Sequence, residues 1–116
     1  MSAQFMWFDV TAADTEVTAD FYAKLFGWTT GPAENAEPYR TWLVDDGRPW
    51  AGVVPSATGS WLPYVAVDDL DAATERATAL GGTVVRDRVE GPAGTSVVIA
   101  DPGGARVALF VPRATA

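Results

Sequence analysis

Asp9 stands two residues after Trp7 in the segment FMWFDV, and Tyr64 and Arg106 stand in two later apolar segments. A carboxylate among aromatic side chains is costly to bury unpaired, so Asp9 must meet a hydrogen-bond donor, Arg106 or a ligand. Read structurally, it is a tied carboxylate at the rim of a site. Read functionally, it is a counter-ion for a cation or a general base, with Tyr64 or Arg106 stabilising developing negative charge. The chain contains no Cys and no His. That excludes disulfides, thiol nucleophiles, zinc–thiolate sites and imidazole acid–base chemistry. The glycine-rich stretches at 91–94 and 101–104 open no helix and lack the spacing of phosphate-binding loops, so they read as hairpin turns.

These residues must be positioned by a small body. A length of 116 residues and 48% apolar content fit one domain with a real core. Eight Lys and Arg against fifteen Asp and Glu give a net charge of −7. This disfavours nucleic acid and anionic membrane surfaces as partners, and suits a neutral or cationic small molecule as well as simple solubility. The first residues, MSAQFMWFDV, lack a basic stretch followed by an apolar one, and no run approaches the roughly 18 apolar residues of a membrane span. A cytoplasmic location is the expectation.

Along the chain, Phe5 to Val10 reads as a strand. Asp14 or Thr15 then caps a helix in which Val17, Phe21 and Leu25 recur every four residues up to Gly27. Strands over Tyr39 to Val44 and Trp50 to Val54 flank the Asp46-Gly47 turn, and 29–38 reads as loop with at most a short strand. After a linker at 55–60 the pattern returns. Trp61 to Val67 is a strand, Asp69 caps a helix bearing Ala73, Ala77 and Leu80 on one face, and Gly81-Gly82 ends it. Strands follow over Thr83 to Arg88, Thr95 to Ala100 and Arg106 to Val111. A shift of 55 residues superposes Val10 on Val65, Asp14 on Asp69, Leu25 on Leu80 and Gly27 on Gly82, so caps and stops coincide. The expected organisation is α+β with two βαβββ modules, one over about 4–54 and one over about 61–112.

FYAKLFGW at 21–28, VDDLDAA at 67–73, LGG at 80–82 and DPGGARVALF at 101–110 resemble the glyoxalase and bleomycin-resistance (vicinal oxygen chelate) superfamily in order and spacing. The resemblance implies a curved sheet around a central cup. It also implies a place for the divalent metal that the superfamily's enzymes hold with His, Glu or Gln. Those positions are Trp7 and Leu62, seven residues before each capping Asp, Ala108 on the last strand, and Val53 as its partner 55 residues earlier. None carries a carboxylate, imidazole or thiolate, so a chain without metal or other cofactor is expected.

Side chains alternate along strands, so positions sharing parity with these should face the cup. They are Phe5, Trp7 and Asp9; Leu62, Tyr64 and Ala66; and Arg106, Ala108 and Phe110, with Val53 by the repeat. The opposite parity, Met6, Phe8, Val10, Val65, Val67, Val107 and Leu109, is apolar and suits packing under the helices. Trp28 reads as core, while Trp42, Trp50 and Trp61 suit a cup wall, a module interface or a dimer contact. Arg40, Arg86 and Arg88 read as solvated strand positions. The expected function is metal-independent binding or sequestration of an aromatic or cationic natural product by a homodimer. The rival is a metal-independent lyase, isomerase or cyclase with Asp9 as acid/base, assisted by Tyr64. A third reading is an interaction module whose cup is filled by its own side chains.

Overall fold

The structure is a computed structural model and describes residues 4–113. It contains two compact units, one over Trp7–Trp61 and one that runs on from Leu62 and includes the start of the first strand up to Met6. In the first unit, β1 (Phe5–Ala12), α1 (Thr15–Phe26), β2 (Thr29–Pro32), β3 (Thr41–Asp45) and β4 (Arg48–Pro55) follow in the order βαβββ. The strands lie in the order β2-β3-β4-β1, with β1 parallel to β4 and the other pairs antiparallel. In the second, β5 (Ser60–Ala66), α2 (Leu70–Ala79), β6 (Thr83–Glu90), β7 (Gly94–Ala100) and β8 (Arg106–Pro112) repeat that order, and the strands lie β5-β8-β7-β6.

Local chemistry explains the helix ends. The Asp14 carboxylate accepts from Val17 N at 3.1 Å and the Asp69 carboxylate from Ala72 N at 3.0 Å, each satisfying an orphan first-turn donor. Gly27 ends α1 in the left-handed region, at φ 75°, where it lacks the Cβ that would clash. Both glycine-rich stretches are hairpin turns: Gly91 N donates to Gly94 O at 2.7 Å, and the Asp101 carboxylate accepts from Gly103 N and Ala105 N.

Each sheet buries one face under its own helix. In the first unit Ala19 of α1 clusters with Val10, Leu43, Ala51 and Val53 of the sheet, packed by Phe8, Tyr22, Trp28 and Trp50. In the second, Leu70 of α2 clusters with Val97 and Leu109, packed by Val67, Ala73, Ile99 and Val111. The alternation expected for Phe8, Val10, Val67 and Leu109 is present.

Two expectations are corrected, for Leu80 and Met6, and the direction of the α1 stripe, which its period leaves open, is settled. The stripe Val17, Phe21 and Leu25 points away from the sheet, 64%, 57% and 58% exposed, and α1 rests instead on the small Ala19 with Tyr22 beside it. The helix is apolar on two sides, so a four-residue period could not say which side meets the sheet. Leu80 is 65% exposed, because α2 stops before it and anchors through Leu70 at its other end. Met6 is also exposed, lying near the start of β1. No helix among the described residues is long and apolar enough to cross a membrane.

Candidate functional site

With Phe8 and Val10 under α1, alternation turns Trp7 and Asp9 to the opposite face of the first sheet. The Asp9 carboxylate is buried there, at 7% exposure. Its Oδ1 accepts from Trp7 Nε1 at 2.9 Å and from Tyr39 Oη at 2.6 Å. Two of the donors that meet Asp9 are therefore an indole and a phenol. Arg106, the partner considered from sequence, is exposed at the start of β8 and pairs in register with Ala100.

The rings that hold Asp9 also hold each other. Trp7 meets Tyr39 edge-on with centroids 6.2 Å apart and Trp42 edge-on at 5.7 Å, while Tyr39 and Trp42 are tilted at 4.8 Å. Such arrangements match the quadrupoles of aromatic rings. Trp42 reaches the cluster from β3. Tyr39 precedes β3 in the 33–40 segment, where the next residue anchors the chain through Arg40 N to Val53 O at 2.9 Å.

Gly52 makes the arrangement possible. It pairs with Asp9 across the β1–β4 ladder and with Trp42 across β3–β4. A Cβ there would overlap the Tyr39 ring at Cε1 and Cδ1. The ring thus lies against bare backbone, the close approach that a strand glycine permits.

Val53 does not belong to this face. It is fully buried under α1 and pairs with Val10, so the β4 position facing Asp9 is Gly52. The reason is one residue of spacing. Asp9 pairs with Gly52, a separation of 52 − 9 = 43, whereas Tyr64 pairs with Ala108, a separation of 108 − 64 = 44. A one-residue slip along a strand turns a side chain to the other face.

The remaining expected residues lie mainly in the second unit. Tyr64 pairs with Ala108, and its ring meets Phe110 edge-on at 5.9 Å, all three buried. Leu62 is half-buried in β5, whereas Phe5, at the start of β1, is exposed. Of the strand arginines, Arg40 pairs with Glu37 and Arg88 with Asp71, while Arg86 donates to Ser96 Oγ at 2.6 Å. Trp28, Trp50 and Trp61 form a separate cluster with Tyr22 beside α1, where Trp61 Nε1 donates to Tyr22 Oη at 3.0 Å.

Sequence reasoning named Trp7 and Asp9 and left Trp42 open between a cup wall and an interface, but missed Tyr39 and Gly52 as their neighbours. The available signal was Gly52 itself, a glycine inside an otherwise apolar strand, which marks a place where something approaches the backbone.

Two successive βαβββ units, each a four-stranded sheet with one covering helix, define an α+β protein of glyoxalase-like fold. The glyoxalase-like domain family matches residues 6–110, and the chain belongs to that family, within the vicinal oxygen chelate superfamily. The anthracycline biosynthesis protein DnrV of Streptomyces peucetius is 34% identical over 125 aligned residues, which cover 90% of this chain and 45% of that protein. CFP32 of Mycobacterium bovis, provisionally named a glyoxylase, is 31% identical over 114, covering 90% of this chain and 44% of its own length. The chain spans about half the length of these curated relatives. Among solved structures, hypothetical protein BH1468 from Bacillus halodurans C-125 has the same fold, with a TM-score of 0.73, 9% identity, and 100% and 99% of the two chains covered. Methylmalonyl-CoA epimerase from Mycobacterium tuberculosis also shares it, with a TM-score of 0.63, 18% identity, and 95% and 88% covered.

The metal that the superfamily implies does not fit the side chains present. With Gly52 in place of Val53, the positions in question are Trp7, Gly52, Leu62 and Ala108, none of which offers a ligating atom from its side chain. No group of three or more His, Cys, Asp or Glu that could hold a metal ion occurs among the described residues.

Proposed function

We propose that this chain is a metal-independent, cytoplasmic binding protein for a flat aromatic natural product, held on the Trp7, Tyr39 and Trp42 face of the first unit. The observation that carries the reading is the buried Asp9 carboxylate accepting from both Trp7 and Tyr39 within a cluster of three aromatic rings. Such a face offers π-surface for stacking and a fixed negative charge for a cationic substituent, the mixture typical of small-molecule sites. The likeness to a protein named for anthracycline biosynthesis points in the same direction, since an anthracycline joins a planar aromatic system to an amino sugar. Within the second unit taken by itself, Tyr64, Ala108 and Phe110, with Leu62 and Arg106, are proposed as ligand-binding residues.

The test is a tryptophan-fluorescence titration with daunorubicin in excess chelator, on the wild type and on Trp42→Phe and Trp7→Phe. Saturable quenching with a micromolar dissociation constant, weakened in both variants, supports the reading. Quenching that requires added metal, or that neither substitution alters, defeats it.

A second reading rests on the 2.6 Å bond from Tyr39 Oη to Asp9 Oδ1. A phenol and a carboxylate so joined can relay a proton, as a metal-independent lyase, isomerase or cyclase with Asp9 as acid/base requires. Turnover of the bound ligand in chelator, lost in Asp9→Asn, separates this reading from sequestration.

A further inference from the structure

The second sheet, taken by itself, turns one face to α2 and one away from it. Val97 and Leu109 cluster with Leu70 of α2, so alternation sets Ser96 and Val98 of β7, and Ala108 and Phe110 of β8, on the far face. Arg86 of β6 pairs with Val98 and shares that face. Among the described residues, Arg86 and Arg106 are the only charged residues at its paired positions. A chain with fifteen acidic and eight basic residues thus places no carboxylate there. Elsewhere Lys24, Arg40 and Arg88 each meet a carboxylate. Arg86 does not, although Asp87 follows it in the chain and accepts instead from Arg88 N at 2.8 Å. A merely solvated arginine would extend into water. This one lies back along the sheet, where its Nη2 donates at 2.6 Å to Oγ of Ser96, a buried residue two positions along β7 from Val98.

We propose that Arg86 and Ser96 bind the carboxylate of an aromatic acid, whose ring lies over Val89 toward Phe110. A guanidinium carries its N–H donors in a planar fork, and with one of them on Ser96 the others remain for the two oxygens of a carboxylate. Because Ser96 Oγ accepts from Arg86, its own hydrogen is a further donor, and no hydrogen bond among the described residues uses it. Apolar surface adjoins this pair. The cross-strand partners of Ser96 are Phe110 on one side and Val89, 43% exposed, on the other, and the Phe110 ring meets Tyr64 edge-on at 5.9 Å. One guanidinium and one hydroxyl suit a singly charged planar anion rather than a phosphate dianion. The inference rests on the proposed function in taking this face of the second unit as ligand-binding, and it gives that face a charge preference opposite to that of Asp9 in the first unit.

Isothermal titration calorimetry with anthraquinone-2-carboxylate and its uncharged carboxamide tests the inference, since the two share a ring system and differ in charge. The wild type should bind the acid at least about tenfold more tightly than the amide. Arg86→Gln should weaken the acid about tenfold and change the amide less than about twofold. Arg86→Lys should lose less than Arg86→Gln, because it keeps the charge without the fork. Val89→Ser should weaken acid and amide alike. Arg86 is exposed on an edge strand, so its variants should melt with the wild type. No binding of the acid, equal affinity for acid and amide, or equal loss of both in Arg86→Gln overturns the inference. The two readings fail separately. Daunorubicin bound and the acid ignored sinks this inference alone, whereas the acid bound through Arg86 with daunorubicin ignored sinks the proposed cationic ligand and upholds the anion site.

Discussion

Gly52→Ala adds one methyl group where the structure leaves no room for it. The new Cβ would overlap the Tyr39 ring and lie 3.3 Å from Trp42 Cζ3. Overpacking of this kind costs about 1–3 kcal/mol. A displaced Tyr39 also loses its bond to the Asp9 carboxylate, and hydrogen bonds to charged groups contribute about 1.5–3 kcal/mol. The two losses overlap, because Tyr39 is only half-buried and can move outward, so a destabilisation of about 2–4 kcal/mol is expected. At about 4 °C per kcal/mol for a domain of this size, the melting temperature should fall by about 8–16 °C. Thermal and urea unfolding measure the loss, and near-ultraviolet circular dichroism reports the Trp42 environment. The decisive comparison is the same substitution in Tyr39→Ala. With the ring gone the methyl is accommodated, and Gly→Ala should be neutral or stabilise by up to about 1 kcal/mol through the unfolded chain. Equal cost in both backgrounds would refute the view that Gly52 exists to admit Tyr39.

Other substitutions probe the remaining parts. Asp9→Asn keeps the shape but removes the charge that Trp7 and Tyr39 serve, and should weaken binding of a cationic aromatic ligand about tenfold, or about 1.4 kcal/mol, as measured by isothermal titration calorimetry. Leu43→Ala, at a fully buried position, should lower stability by about 2–5 kcal/mol in urea unfolding, whereas Leu25→Ala on the exposed ridge should change monomer stability by less than about 0.5 kcal/mol. Asp14→Ala and Asp69→Ala each remove a helix cap and should each cost about 0.5–2 kcal/mol in the same assay, with near-additive losses in the double variant because they serve different helices.

The sequence carried the element plan because that plan is written in local chemistry. Asp14 and Asp69 cap, Gly27 stops α1, and the apolar alternation through Phe8 and Val10 sets the face that meets α1. What escaped depended on spacing between distant segments. Tyr39 reaches Asp9 from 30 positions away in the chain, by way of a segment with no regular pattern. Val53 was assigned to the wrong face because the first unit has one residue fewer between its parallel strands than the second. The direction of the α1 ridge was not legible because periodicity reveals that an apolar face exists without saying what it faces. In the candidate site, therefore, Trp7 and Asp9 were legible and the residues that hold them were not.

Native mass spectrometry of the purified protein, desalted and then exposed in parallel to daunorubicin and to Mn, Ni, Zn and Fe salts, tests metal-independent binding most directly. A one-to-one adduct with the aromatic ligand, and no stoichiometric metal adduct from any of the four salts, is the predicted result. A stoichiometric metal ion, or ligand binding that appears only after metal is added, would contradict it.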